Sequence, residues 1–192
     1  MSEEEQELPT RFQIFVLSYL YSQELFLEDR EYELDKRRVR THHLQSRVTQ
    51  NAIEINVKQL ATILPSSIIS KDLTVAEMVR QLSILVDNGY LHLNLLGSSS
   101  EAFGSVSITT DGILLVKKIF GSLKKSIRDK KNYQRRLESL EGNSDTKKWL
   151  RSMWNTLKDK AQDEIADLIL SQVKIQGPQL IGFMIRYIQN GS

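Results

Sequence analysis

The chain has 192 residues, a formal net charge of +2, no cysteine, and 40% apolar against 26% charged residues. That balance excludes a disordered chain and fits one elaborated domain or two small ones, while the missing cysteine excludes disulfides and thiolate metal sites. No run approaches the roughly 18 apolar residues of a membrane span, and the acidic start "MSEEEQEL" is the opposite of a signal peptide, so a cytoplasmic protein without a membrane partner is expected.

Pro9 suits a first helical turn, where its missing N–H has no helical partner. Phe12, Phe15, Val16, Tyr19 and Leu20 then recur at helical spacing and predict a core helix over 10–27. Residues 28–50 are polar and read as a second charged helix or an insertion. Ile53 and Ile55 flank Glu54 in a short alternation that predicts a strand, and Asn56 is placed to cap a helix over "VKQLATIL" that ends before Pro65. Thr74 with Glu77 three residues on has the form of a capping box. It opens a helix whose apolar face holds Val75, Met78, Val79, Leu82, Leu85 and Val86.

In "SILVDNGYLHLNL" the apolar period changes from three-to-four to two at Asp87-Asn88-Gly89. Gly89 is therefore expected to stop the helix in the left-handed conformation and lead straight into a strand. "YLHLNLL", the loop "GSSSEAFG" and "SVSIT" predict an antiparallel hairpin with a long tip. Thr110 or Asp111 is expected to cap a helix that buries Leu114, Leu115, Ile119, Leu123 and Ile127 and continues through a basic stretch towards Leu140. After "EGNSD" the tail is helical again from 145, through Trp149, Trp154, Leu157 and Ile165. Gly177-Pro178 precedes a last short helix, Leu180 to Ile188.

Three stretches, "VKQLATIL", "TVAEMVRQLSILVDNGYLHL" and "VSITTDGILLVKKI", give the order helix, helix, hairpin, helix behind a short strand. This order resembles the winged helix-turn-helix family, particularly its MarR- and PadR-type regulators, over about residues 53–120. The expected fold is mainly α with a small antiparallel β-hairpin. Residues 1–50 would form an N-terminal helix and charged insertion, 51–120 the winged-helix domain, and 121–192 a long basic helix with a C-terminal helical extension. The resemblance implies a DNA-binding transcription regulator with the second motif helix in the major groove, its N-terminal residues near base edges. Carried onto this chain, Lys71, Thr74, Glu77, Arg80 and Gln81 would face the duplex. The sequence departs from the family in a wing tip without Lys or Arg, and in a turn, "LPSSIISKDL", longer than three or four residues.

Charge is unevenly placed. Residues 1–35 hold ten acidic side chains against Arg11 and Arg30, whereas 117–136 hold nine basic ones against Asp129. Affinity for duplex DNA comes largely from neutralised phosphates, so Lys124, Lys125, Arg128 and Lys131 are candidate contacts, joined by Lys36, Arg37, Arg38, Arg40 and Arg47 before the motif. Solvated faces, or docking of the acidic segment against the basic one, are the competing expectations. Trp149, Trp154, Phe183 and Tyr187 are predicted either to finish the core against the first helix or to centre a homodimer interface. His42-His43 are adjacent, about 100° apart on a helix, and make a poor chelate. No catalytic constellation, metal site or cofactor motif is present, so no enzyme is predicted. The alternative function is a winged-helix module for contact with another protein, without DNA.

Overall fold

A threonine and a glutamine three residues apart can satisfy two of the N–H groups that a helix start leaves free. Thr10 and Gln13 do so. Thr10 Oγ1 accepts from the Gln13 N–H at 3.2 Å, and Gln13 Oε1 accepts from the Thr10 N–H at 2.9 Å. The computed structural model describes residues 9–38, 53–69, 72–96, 102–140 and 144–189, with side chains except at 27–38, 95, 96 and 102. Helix α1 runs over Arg11–Arg38, well past the expected end at 27. Pro9 stands ahead of the cap rather than inside the first turn. Residues 12–18 are buried without exception, so the first two turns of α1 are enclosed on every side instead of presenting one apolar stripe.

The chain continues through β1 (Ile53–Asn56), α2 (Val57–Ile63), α3 (Val75–Asp87), β2 (Leu91–Leu96), β3 (Ala102–Ile108) and α4 (Thr110–Gly121). Asn56 caps α2 as expected, its side chain accepting from the N–H groups of Lys58 and Gln59. At the other end of α3, Gly89 lies at φ +74°. Its N–H reaches the Val86 carbonyl and the Tyr90 N–H reaches the Leu85 carbonyl, both at 2.9 Å. These are the two bonds of a left-handed glycine stop. Leu91 begins β2 at once, so the change of period is a real corner in the backbone.

The strands form one antiparallel sheet in the order β1-β3-β2. Ile55, Leu91, Val106 and Ile108 face the core, and His92 is exposed. Two details differ from expectation. β1 adds a third strand to the hairpin, and β3 already begins at Ala102, so Ala102, Phe103 and Gly104 belong to a strand and not to the loop.

The basic stretch is not one helix. Thr109, rather than Thr110 or Asp111, caps α4 through its bond from the Gly112 N–H. Val116 and Phe120 form the buried face, and Leu114 is 58% exposed. α5 (Leu123–Ile127) and α6 (Lys130–Ser139) are separate segments. The break has a local cause: the Asp129 carboxylate accepts from the N–H groups of Lys131 and Asn132 and starts a new helix. The tail is likewise divided, into α7 (Ser144–Ser152), α8 (Trp154–Asp159), α9 (Glu164–Leu170), α10 (Val173–Gln176) and α11 (Gln179–Gln189).

One hydrophobic core extends from Phe12 to Tyr187. α1 lies within it, packed against α3, α4, α9, α10, α11 and β3. α11 also reaches the α2–α3 turn at Gly182, where an added Cβ would fall 2.6 Å from Pro65 Cβ and 2.9 Å from Ser67 Oγ. At Gly89, by contrast, an added Cβ meets nothing within 4 Å, and only the backbone conformation resists it. Gly89→Ala is therefore expected to cost about 1 kcal/mol. Gly182→Ala should cost more, about 1–3 kcal/mol, because backbone must move. Urea midpoints test the order, and a Gly182→Ala midpoint equal to the parent's would show that α11 does not pack closely on Pro65.

Candidate nucleic-acid interface

The first turn of α3 carries the side chains expected to read bases, and hydrogen bonds decide which of them are available. Thr74 is exposed and caps the helix, accepting from the Glu77 N–H at 3.2 Å. The second half of the expected capping box is not made, because the Thr74 N–H donates to the Asp72 carbonyl and the Glu77 carboxylate is engaged elsewhere. Arg80 clamps that carboxylate with two N–H groups, at 2.8 and 2.6 Å, and Gln81 Nε2 donates to it at 2.7 Å. These bonds, Arg80 first and Gln81 second, hold the Glu77 carboxyl well below the ordinary carboxylate range, at about 2.

Arg80 remains exposed, but it is a paired guanidinium rather than a free donor. Gln81 is buried. Its amide oxygen accepts from Thr10 Oγ1 at 2.5 Å, and its backbone carbonyl accepts from Gln13 Nε2. It bolts the middle of α3 to the start of α1 and is turned into the core. Lys71 and Arg40 lie outside the described residues, as do Arg47 and His42-His43. Lys36, Arg37 and Arg38 are the last three residues of α1, and their side chains are not described.

Of the nine cations between 117 and 136, three are hydrogen-bonded within the fold and a fourth, Lys130, lies over the Trp154 ring. Lys117 donates to Asp167 at 3.0 Å, beside the Tyr21 hydroxyl that donates to the other oxygen at 2.6 Å. Lys124 donates to the carbonyls of Lys158 and Lys160 and so caps the end of α8. Arg136 donates to the Tyr187 carbonyl at 2.6 Å and lies 4.3 Å from that ring's centroid. Lys118, Lys125, Arg128, Lys131 and Arg135 are exposed, and among the described residues none of them makes an ion pair. The breaks at Ser122 and at Arg128-Asp129 divide these charges among separate segments instead of leaving them along one helix.

The aromatic tail is placed just as unevenly. Phe183 and Tyr187 are 3% and 1% exposed within the single chain. Burial pushes the Tyr187 hydroxyl up from its ordinary range, and does the same at its neighbour Tyr133. These two tail residues fill the core that α1 occupies. Trp149 and Trp154 are half-buried against it. Trp154 has a further property that sequence reasoning missed: Lys130 and Lys158 both place ammonium groups near its ring. The Glu77–Arg80 pair, at a spacing of three on a helix, was open to detection from spacing alone. The Thr10–Gln81 and Lys130–Trp154 contacts join residues far apart in sequence and left no local signal, whereas Trp154 and Lys158 stand four apart on one helix.

Compared with family models, with curated proteins and with solved structures, the chain gives no match.

The Glu77 carboxylate makes a directional pH prediction. Its folded pKa lies below the ordinary 4.5, so its contribution to stability is complete above that value and is lost as pH falls from there towards about 2. The urea midpoint of the parent should drop more steeply through that window than that of Glu77→Gln. Parallel curves would show that the Arg80 and Gln81 bonds do not hold the carboxylate.

Proposed function

We propose that this chain is a winged-helix DNA-binding protein that holds duplex mainly through its phosphates. Support for the winged-helix part comes from the order α1-β1-α2-α3-β2-β3 and the sheet order β1-β3-β2, with the corner at Gly89 joining α3 to the hairpin. The observation that carries the DNA part is the group of five exposed basic side chains, Lys118, Lys125, Arg128, Lys131 and Arg135, left without internal counter-ions among the described residues. Thr74, Val75 and Ala76 form the exposed start of α3. Small and apolar side chains there suit close approach to a backbone or to thymine methyl groups more than hydrogen-bonded base readout. With Arg80 paired and Gln81 turned inward, sequence discrimination is expected to be weak, in the sense that most of the affinity is electrostatic and shared by any duplex.

A second function, contact with another protein through the same region, is favoured by Ile69 and Val75, which are 53% and 40% exposed at either end of the α2–α3 connection. The two readings diverge in salt dependence. On the DNA reading, a labelled duplex of arbitrary sequence binds at about 50 mM salt and loses roughly a hundredfold in affinity by about 200 mM. The triple substitution Lys125→Gln, Arg128→Gln, Lys131→Gln should reduce the slope of log affinity against log salt by about three. Glu77→Gln should raise affinity by freeing Arg80. No binding at about 50 mM salt would end the DNA reading and leave the protein-contact one.

A further inference from the structure

We infer that Trp154 organises a phosphate-binding site at the junction of α5, α6 and α8, and that in the duplex complex proposed above this site takes a backbone phosphate. The geometry begins with the indole. Trp154 is the first residue of α8, and its Nε1 donates at 3.0 Å to the carbonyl of Ile127, the last residue of α5. That bond fixes the ring while leaving it half-exposed. Lys130, from the start of α6, places its ammonium 5.1 Å from the ring centroid, and Lys158, from α8 itself, places its own at 5.2 Å. The Lys124 ammonium sits on the Lys158 and Lys160 carbonyls, and Arg128 follows the residue that holds the indole.

Charges from two helices, α6 and α8, thus lie within about 5 Å of one indole centroid, held there by the ring's negative face, while the Lys124 ammonium of α5 sits on the carbonyls at the end of α8. Among the described residues no carboxylate pairs with Lys130 or Lys158. Asp129 accepts the α6 backbone N–H groups, and Lys160 pairs with Glu164 at 3.2 Å. Asp159 is exposed beside Lys158 and, among the described residues, pairs with none of these cations.

Separate ammonium groups are compact point charges, in contrast to the planar fork of arginine that matches a carboxylate. They suit a tetrahedral anion that offers a different oxygen to each donor. The exposed Lys125, Lys131 and Arg135 on the same two helices, α5 and α6, extend the charge outward from this point, as a repeating phosphate backbone requires. Lys158 lies outside the basic run of the sequence, and only the folding of α8 onto α5 brings it in.

The chain has two tryptophans, so Trp149→Phe leaves Trp154 as the sole indole fluorophore. In that background, inorganic phosphate and a short duplex are titrated at about 50 mM salt while emission is followed. Both probes are expected to change the emission. Lys130→Gln with Lys158→Gln should abolish the response to phosphate, lower duplex affinity roughly tenfold and reduce its salt slope by about two. Lys58→Gln with Lys148→Gln removes equal charge elsewhere and should leave the emission response intact. Duplex binding that is unchanged by the Lys130/Lys158 pair, or weakened no more than by the control pair, overturns the site while the proposed function stands. A response to phosphate without any duplex binding supports the anion site and overturns its assignment to DNA. Capture of a polyglutamate peptide through Lys130 and Lys158, with no response to either phosphate probe, overturns the phosphate assignment altogether.

Discussion

A helix that is apolar all round its first two turns must be covered all round, and α1 imposes that requirement on the rest of the chain. With residues 12–18 buried in succession, no single partner can shield it. α3 and β3 cover it from the first half of the chain, and α9, α10 and α11 close over it from the last third. The ends of the sequence therefore meet, and Arg11 Nε donates to Gln189 Oε1 across that junction at 2.6 Å. Burying a large apolar side chain is worth about 1.5–3 kcal/mol, so the buried apolar residues from Phe12 to Leu20 contribute on the order of 10 kcal/mol before the cost of ordering the chain. Gln13 bonds to the start of α1 and to the Gln81 carbonyl of α3, and Ser22 to the Tyr19 carbonyl, whereas the Ser18 hydroxyl is buried without a hydrogen-bond partner among the described residues.

This enclosure also decides what α3 can do. Its inner face must serve α1, and Gln81 is drawn into that contact by Thr10 and Gln13. The residues left for an outside partner are those of the first exposed turn, together with an arginine already neutralised by Glu77. The exposed cations of 117–136 without ion pairs among the described residues lie instead on α4 and on the short segments that follow it. The exposed start of α3 and these charges thus belong to different helices.

Most of the first half was legible in the sequence. The strand at Ile53–Asn56, the Asn56 cap, the stop before Pro65, the Thr74 cap and the glycine corner at Gly89 all rest on local rules, and local rules are what a sequence displays. The errors have equally local causes. α4 was assigned the wrong cap because Thr109, Thr110 and Asp111 are three adjacent cap-forming residues, and register against Tyr90 chooses among them: Thr109 Oγ1 donates to the Gly89 carbonyl at 2.7 Å, and the Thr109 N–H to the Tyr90 carbonyl at 3.1 Å. Leu114 was placed inside by periodicity, yet the face that packs on α9 is the one holding Val116 and Phe120. The full extent of α1 was hidden by the polar composition of 28–38, where helical backbone continues without apolar residues to signal it.

The candidate site was legible in charge but not in direction. A run of nine cations reads as one positive stripe only if a single helix carries it. The one acid in that run, Asp129, is the residue that divides it, since a carboxylate at that place is better used on free N–H groups than on neighbouring side chains. Once the helix is cut, each cation acquires its own neighbours. Lys117 finds a carboxylate, Lys124 and Arg136 find carbonyls, and Lys130 finds an indole contributed from more than twenty residues away. Net charge fixes how strongly such a protein attracts polyanions at a distance, whereas the tertiary fold fixes how many of those charges remain able to touch one. The second quantity depends on hydrogen bonds between residues that share no local pattern, and it separates a basic sequence from a basic surface.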